Sequence, residues 1–349
     1  MSEINNQPLV SIVTPVYNGE RHLTEAIESV LAQTYDRWEY VILNNASRDR
    51  TPEIARHFAA QDDRIRVVHN AETLPIMANW NHALRQISPE SRYCKVLHAD
   101  DLLFPDCLAQ MVAVAEAHPQ VGVISAYRLN GDRVDLNGIP YPTPVVSGKT
   151  VCRWSLLKPD FFVFGSPSSL LLRADLVRNR EDFYSSHIYA DVEACYDLLR
   201  ESDFGFVHQV LTYTRLHEGS QTQSHASLSK DRLGRLTVLM KYGPYYLTKG
   251  EYQQRLKQRL DHYYRFLGRS LLERKEPAFW DYHRRWLSEL NLALSRSRLY
   301  QAAAKELVSQ TFLALARPRA TLQGKFDREK TPGVSAIELQ DNQPRKSAV

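Results

Sequence analysis

The chain is poor in the residues that build covalent or metal staples. Only four of its 349 residues are cysteine, Cys94, Cys107, Cys152 and Cys195, and no two form a Cys-x-x-Cys pair. That argues against a disulfide framework or a zinc site and for buried, reduced thiols. Long apolar runs are missing too: no stretch of about 18 uninterrupted apolar residues could span a bilayer. The opening Met-Ser-Glu-Ile-Asn-Asn-Gln shows no cationic segment followed by an apolar one, so no secretory leader is expected there. These absences favour a cytoplasmic protein. No internal repeat is found, and the length suits one large domain or two unequal ones.

Acidic residues are scarce in the C-terminal third. Residues 226–349 carry 24 Lys and Arg against 12 Asp and Glu, a net +12, whereas residues 1–225 sum to −8. The two parts therefore have different electrostatic tasks. A basic segment can meet an anionic lipid face, or it can be a solvated helix surface; no nucleic-acid partner is expected.

What is present is an alternation of strands and helices. Apolar runs at Leu9–Thr14, Trp38–Leu43, Ile65–His69, Tyr93–Leu97 and Val121–Ala126 are separated by helical patterns. The first of these carries Leu23, Ile27, Val30 and Leu31 on one face, and the others lie near Pro52–Ala60, Ile76–Ile87 and Asp106–Ala117. Repeated βα units predict an α/β, Rossmann-like, mostly parallel sheet flanked by helices. Gly131, Gly138, Pro140, Pro142, Pro144 and Gly148 interrupt the pattern with a long loop or hairpin. Strands at Phe161–Phe164, Ser169–Arg173, Phe204–Val207 and Leu211–Leu216, and a helix near Asp191–Arg200, are expected next. Beyond Ser227 the pattern is helical throughout: Leu256, Leu260, Tyr263, Leu267 and Leu271, then Phe279, Tyr282, Trp286 and Leu290, recur at spacings of three and four. We divide the chain into a domain over 1–225, an all-helical extension over 226–320 and a polar tail over 321–349 with the composition of disorder.

In a parallel sheet, ligands bind beyond the carboxyl ends of the strands. Strand Tyr93–Leu97 runs into His98-Ala99-Asp100-Asp101, and paired carboxylates there suit Mg2+ or Mn2+ on a diphosphate. The first strand ends in Pro15-Val16-Tyr17-Asn18 and the second in Asn44-Asn45-Ala46-Ser47-Arg48-Asp49-Arg50-Thr51. If these strands are neighbours, an aromatic ring and amides open into one crevice, equipment for a planar base. Taken singly, Pro15 only ends a strand, and Ser47, Asp49 and Thr51 only make a turn and cap a helix.

Taken in order, these motifs resemble the family 2 glycosyltransferases of the GT-A fold. The resemblance covers residues 8–223, including the Asn79-Trp80-Asn81 segment that leads into the metal strand. It implies a nucleotide-sugar donor held by Pro15, Tyr17, Asn18, Asn44, Asn81 and Asp101, with a divalent metal on Asp100. Asp191, in Tyr189-Ala190-Asp191-Val192-Glu193, would be the catalytic base, with Glu193 the weaker candidate. A place at a helix N-terminus is expected to keep Asp191 ionised. Arg215 and His217, followed by Ser220 and Thr222, would close over the diphosphate, His217 completing the metal shell. Gly165-Ser166-Pro167-Ser168-Ser169 would face the acceptor.

Two positions depart from the family pattern. Asn44 stands where the family usually has Asp, which leaves an amide oxygen to accept a base N–H. His98 replaces the first acid of the Asp-x-Asp motif, at the expected loss of a ribose or metal contact. The implied reaction is an inverting transfer of one sugar to a hydroxyl of a glycan or lipid-linked acceptor in cell-surface polysaccharide biosynthesis. No Gln-x-x-Arg-Trp segment marks a processive synthase. The basic helices would either touch an anionic membrane face from the cytoplasmic side or pack on the catalytic domain or a second copy in a homodimer. Two alternatives differ in class. A sugar-phosphate nucleotidyltransferase would show a glycine-rich basic loop after the first strand, and Pro15-Val16-Tyr17-Asn18-Gly19-Glu20 is neither. A lapsed sugar-nucleotide-binding or scaffold protein would explain His98 and Asn44, but not the retention of Asp100, Asp101 and Asp191.

Overall fold

The computed structural model describes residues 7–158, 160–186, 189–217 and 230–316, with side chains in the last stretch described for 232–309. Ser220, Thr222 and the 321–349 tail lie outside the described residues. In chain order the elements are β1 (Val10–Val16), α1 (Leu23–Leu31), β2 (Trp38–Asn44), α2 (Thr51–Ala59), β3 (Ile65–His69), α3 (Ile76–Leu84), β4 (Tyr93–Val96), β5 (Leu102–Leu103), α4 (Cys107–Ala117), β6 (Val121–Asn130), β7 (Arg133–Asp135), β8 (Val145–Val146), α5 (Gly148–Leu157), β9 (Leu171–Arg173), α6 (Ala174–Arg178), α7 (Ala190–Leu198) and β10 (Asp203–Thr214). Helices α8 (Lys230–Tyr246), α9 (Lys249–Leu272), α10 (Pro277–Glu289) and α11 (Arg296–Ala316) follow.

The sheet runs in the order β3-β2-β1-β4-β9-β6-β10-β5. The β3-β2-β1-β4 half is parallel, as is the long β6-β10 pair. The short β9 joins the halves antiparallel to both β4 and β6, and β5 closes one edge antiparallel to β10. Every residue of β1 is buried, as a strand covered by helices on both faces requires. Leu23, Ala26, Ile27 and Val30 form the face that α1 lays on that sheet.

Two expected strands take another form. Phe161–Phe164 is irregular, with Phe161, Val163 and Phe164 buried and Phe162 exposed, because burial of an apolar run needs only a core to enter, and Gly165, with φ of 69°, turns the chain immediately after it. Phe204–Val207 and Leu211–Leu216 are one strand, β10, whose register against β6 shifts at bulges rather than breaking.

Helix α8 is the wall between two cores. Its Val238, Leu239, Tyr242 and Tyr246 pack with the sheet and α7, while its Leu233 and Leu236 pack with Tyr263, Leu267, Phe279 and Leu287 of α9 and α10. The Tyr242 ring stacks on Tyr196 at 4.9 Å, and its hydroxyl donates to the Glu193 carbonyl and to Asp197. Gly234 lies where a Cβ would meet the Tyr189 ring at 2.0 Å, so α8 approaches the start of α7 as closely as a helix can. The C-terminal helices thus rest on the helix that carries Asp191.

Candidate active site

Parallel pairing of β1 with β2 sets their two loops side by side, and the polar side chains of those loops tie them together. Asn18 Oδ1 accepts from the Arg48 N–H (2.9 Å), the Asn18 N–H donates to Ser47 Oγ (2.9 Å) and the Gly19 N–H to Thr51 Oγ1 (2.8 Å). Asn18 and Ala46 both hold a positive φ, near 50°, a conformation few non-glycine residues adopt outside special sites. Tyr17 stands 47% exposed beside this clasp, with its ring open to solvent. Pro15, by contrast, is buried within β1. The Asn44 amide oxygen accepts from the Ser47 N–H at 3.2 Å, and its nitrogen lies 3.1 Å from His69 Nδ1. A second lone pair remains on that oxygen.

Beyond β4 the carboxylates gather with imidazoles. Ligand atoms of His98, Asp100 and Asp101 lie within 4.8 Å of one another. His98 Nδ1 is 3.7 Å from Asp101 Oδ2, and His217 Nε2 is 2.9 Å from Asp100 Oδ2. The substitution of histidine for the first acid therefore does not remove position 98 from the cluster; it exchanges an oxygen donor for a nitrogen donor. The residue is fixed by its neighbours: the His98 backbone N–H donates to Ser168 Oγ (3.0 Å), and Trp80 packs on the imidazole with centroids 4.6 Å apart. Ser168 of the expected acceptor loop thus holds the segment that follows β4. Burial pushes the Asp101 carboxyl up from the ordinary range, with His98 pulling it back.

Arg215 links this cluster to α1. Its N–H donates to Asp101 Oδ1 (3.3 Å), its Nε to the Asp100 carbonyl (3.3 Å), and its guanidinium pairs with Glu25. His22, which the sequence did not single out, packs against His217 with ring centroids 5.3 Å apart and the rings tilted by 50°, and both of its ring nitrogens are buried with no hydrogen-bond partner among the described residues. Burial, with Arg215 and His217 nearby, holds its pKa below the usual histidine value.

Asp191 lies in the first turn of α7, half-buried, its Oδ1 accepting from the Val192 N–H at 2.8 Å. The helix start does not keep it fully ionised. Burial outweighs the N–H groups, His98 and Arg128, and pushes its carboxyl up to about 6. The charge of His98 acts on both Asp191 and Asp101, so both acids lie within its electrostatic reach. Helix α3 braces that arrangement: Trp80 packs on both His98 and Tyr184, and the Asn81 amide accepts from the Tyr184 N–H and donates to its carbonyl, each at 2.7 Å. Asn81 thus stands apart from Tyr17 and Asn18, with its amide engaged by the chain leading into α7. Glu193 turns the other way, its buried carboxylate paired with Lys241 of α8 at 2.7 Å.

A cavity of about 630 Å3 lies at the other end of the sheet, where Gln120 and Asp203 begin β6 and β10. Its charges are mixed, Lys149, Arg173 and Arg200 against Glu201 and Asp203, and none of the motif residues lines it.

Residues 11–173 match the family described as Glycosyl transferase family 2. That match covers a little under half of the chain. The match stops short of Asp191, Arg215 and the C-terminal helices. Among relatives, the putative glycosyltransferase EpsE of Bacillus subtilis is 33% identical over 161 residues, 44% of this chain and 57% of EpsE. The putative teichuronic acid biosynthesis glycosyltransferase TuaG of the same organism is 35% identical over 97 residues, 28% of this chain and 38% of TuaG. The chain thus spans little more than half of EpsE and less of TuaG. Among solved structures, S. aureus TarS 1–349 in complex with UDP-GlcNAc aligns with a TM-score of 0.60 at 17% identity, covering 89% of this chain and 93% of that one. The mannosyltransferase PcManGT from Pyrobaculum calidifontis, in complex with GDP-Man and Mn2+, aligns at 0.54 with 19% identity, covering 90% and 83%. The chain shares the fold of these structures, GT-A-like, with a mixed α/β sheet flanked by helices and followed by a helical C-terminal region.

Proposed function

We propose that this chain is an inverting glycosyltransferase that moves one sugar from a nucleotide-sugar donor to a hydroxyl of a glycan or lipid-linked acceptor in cell-surface polysaccharide biosynthesis. The observation that carries the proposal is Asp191, half-buried at the start of α7 so that its carboxyl is pushed up to about 6, and within electrostatic reach of the His98 that gathers with Asp100 and Asp101. A base poised near the working pH is ionised often enough to take a proton and basic enough to hold it. Asp191 removes the proton of the acceptor hydroxyl as its oxygen bonds to the anomeric carbon, and the nucleoside diphosphate leaves from the opposite face. Tyr17, Asn18 and Asn44 line the base and ribose, Pro15 shapes the loop, Asp101 orients Arg215, and Asn81 positions the approach to α7. The family relatives TuaG and TarS, by their names and bound donor, support this class of donor and product.

The carboxylate–imidazole cluster fits a divalent ion, since Asp101 Oδ2 is buried with no hydrogen-bond partner among the described residues and His98 Nδ1 lies 3.7 Å from it. Asp100, with His98, Asp101 and His217 beside it, would hold Mg2+ or Mn2+, which supplies charge neutralisation to the departing diphosphate. No helix among the described residues is long and apolar enough to cross a membrane. We place the enzyme in the cytoplasm, its basic helices at an anionic membrane face or, in a homodimer, against a second copy. Flotation with liposomes that shows no dependence on anionic lipid would remove the membrane contact.

The test is a screen of UDP-, GDP- and dTDP-sugars for thermal stabilisation with and without Mn2+, because a ligand selective for the native state raises its stability by mass action. One donor is expected to raise Tm only with the ion present. Stabilisation by none of them would remove the transferase reading.

A further inference from the structure

The motif strand of this chain ends in an imidazole where its family resemblance calls for a carboxylate, and a second imidazole borders the same site. His98 replaces the first acid, yet its donor atom stays within 4.8 Å of those of Asp100 and Asp101. His217 Nε2 lies 2.9 Å from Asp100 Oδ2. The His98 ring is held on one side by Trp80 and at its backbone by Ser168. Its Nδ1 lies 3.7 Å from Asp101 Oδ2, which is buried without a hydrogen-bond partner among the described residues on a side chain only 3% exposed. A ring nitrogen held beside an unpaired buried carboxylate oxygen is placed for one ion to take both as ligands.

Nitrogen donors discriminate among ions in a way carboxylates do not. Mg2+ demands oxygen ligands in near-ideal octahedral geometry and gives up its waters reluctantly. First-row transition ions take a nitrogen ligand more readily than Mg2+ does, Mn2+ least among them, with affinity rising from Mn2+ to Co2+. We propose that this site selects a transition ion, Mn2+ or Co2+, over Mg2+, and that His98 sets the choice. The inference rests on the metal site proposed above.

The experiment titrates the full chain with MgCl2, MnCl2 and CoCl2 alone, by calorimetry and by quenching of Trp80 fluorescence, beside the variants His98→Asp and His98→Asn. Two variants guard against one that folds poorly, and circular dichroism melts check both. The wild type is expected to bind Mn2+ at least about tenfold more tightly than Mg2+, and Co2+ more tightly still. His98→Asp should narrow the Mn2+ to Mg2+ gap to about threefold or less, and both variants should alter the visible absorption of bound Co2+, which reports its nitrogen ligands. Equal Mg2+ and Mn2+ affinity in the wild type, or a gap unchanged in both variants, overturns the selectivity while leaving the metal site standing. Binding of none of the three ions removes the metal site itself and the selectivity with it.

Discussion

Two carboxylates open helices in the two halves of this chain and meet opposite fates. Asp191, in the first turn of α7, is pushed up to about 6 because burial strips its water. Glu251, in the first turn of α9, is held near 2 by hydrogen bonds from Arg153 and from the backbone and side chain of Thr248. Both face the same helix dipole, so the dipole decides neither. The difference lies in the work each region does. The helical extension satisfies its polar ends, with a full capping box at Thr248 and Glu251. The sheet leaves polar groups incompletely satisfied at its carboxyl edge, where His22, His98 and Asp101 hold buried atoms with no partner among the described residues. Unsatisfied groups cost stability and are kept where a ligand completes them.

Removing the charge at Asp191 should break this contrast most sharply. Asp191→Asn is expected to lower kcat by about 100-fold or more while leaving donor affinity in place, since only proton transfer is lost. Its effect on stability has the opposite sign. The folded pKa near 6 lies above the ordinary 3.8, so the folded state binds the proton more tightly and wild-type stability falls as pH rises from about 4 to 6. Above pH 6 the asparagine variant should therefore be the more stable by about 1–2 kcal/mol, the full shift being discounted for partial exposure. Wild-type kcat/KM should rise with pH through about 6. Near-normal turnover in the variant would take Asp191 out of the mechanism.

The seam between the halves comes next. Tyr242 is fully buried against Tyr196 and hydrogen-bonded to α7, so Tyr242→Ala should cost about 3 kcal/mol by chemical denaturation. Activity should fall with it, because α7 carries Asp191. Lys241→Met is milder. It leaves the Glu193 carboxylate buried without its cation, a penalty of about 2 kcal/mol given that Lys241 is itself half exposed. Adding Glu193→Gln should recover most of the loss; a double variant no better than the single one would show that the pair is not coupled.

The sequence made some of this legible and hid the rest for identifiable reasons. Strand ends, the Asp100–Asp101 pair and the helix at Asp191 were readable because apolar period and local motif set them. The place of β9 between β4 and β6 was not, since three residues carry no mark of their partners. The role of Asn81 depends on Tyr184, 103 positions away. His98 read as a loss because a motif records residue types and not donor atoms. The elevated pKa of Asp191 required knowing that the fold buries it, and helix position alone pointed to the opposite sign.

The smallest effect belongs to the cap at α9, and it tests the opening contrast from the other side. Thr248 Oγ1 accepts from the Glu251 N–H, and Glu251 accepts from the Thr248 N–H at 2.9 Å, so Thr248→Ala should cost about 1 kcal/mol. Glu251 also pairs with Arg153 of α5, which ties the extension to the sheet. Because its folded pKa is depressed to about 2 from 4.5, its stabilisation is present above pH 4.5 and lost as pH falls toward 2. Asp191 gains over the window just above, between 6 and 4, as it takes up its proton. Acidification from pH 7 to 5 should therefore leave the extension's contribution unchanged, and only further acidification should loosen it. Melts of wild type and Glu251→Gln from pH 7 to 3 check this: the difference should begin to narrow below about pH 4.5 and go on shrinking toward pH 3, and a constant difference across the range would mean that the Arg153 pair and the cap do not set the acid stability of the extension.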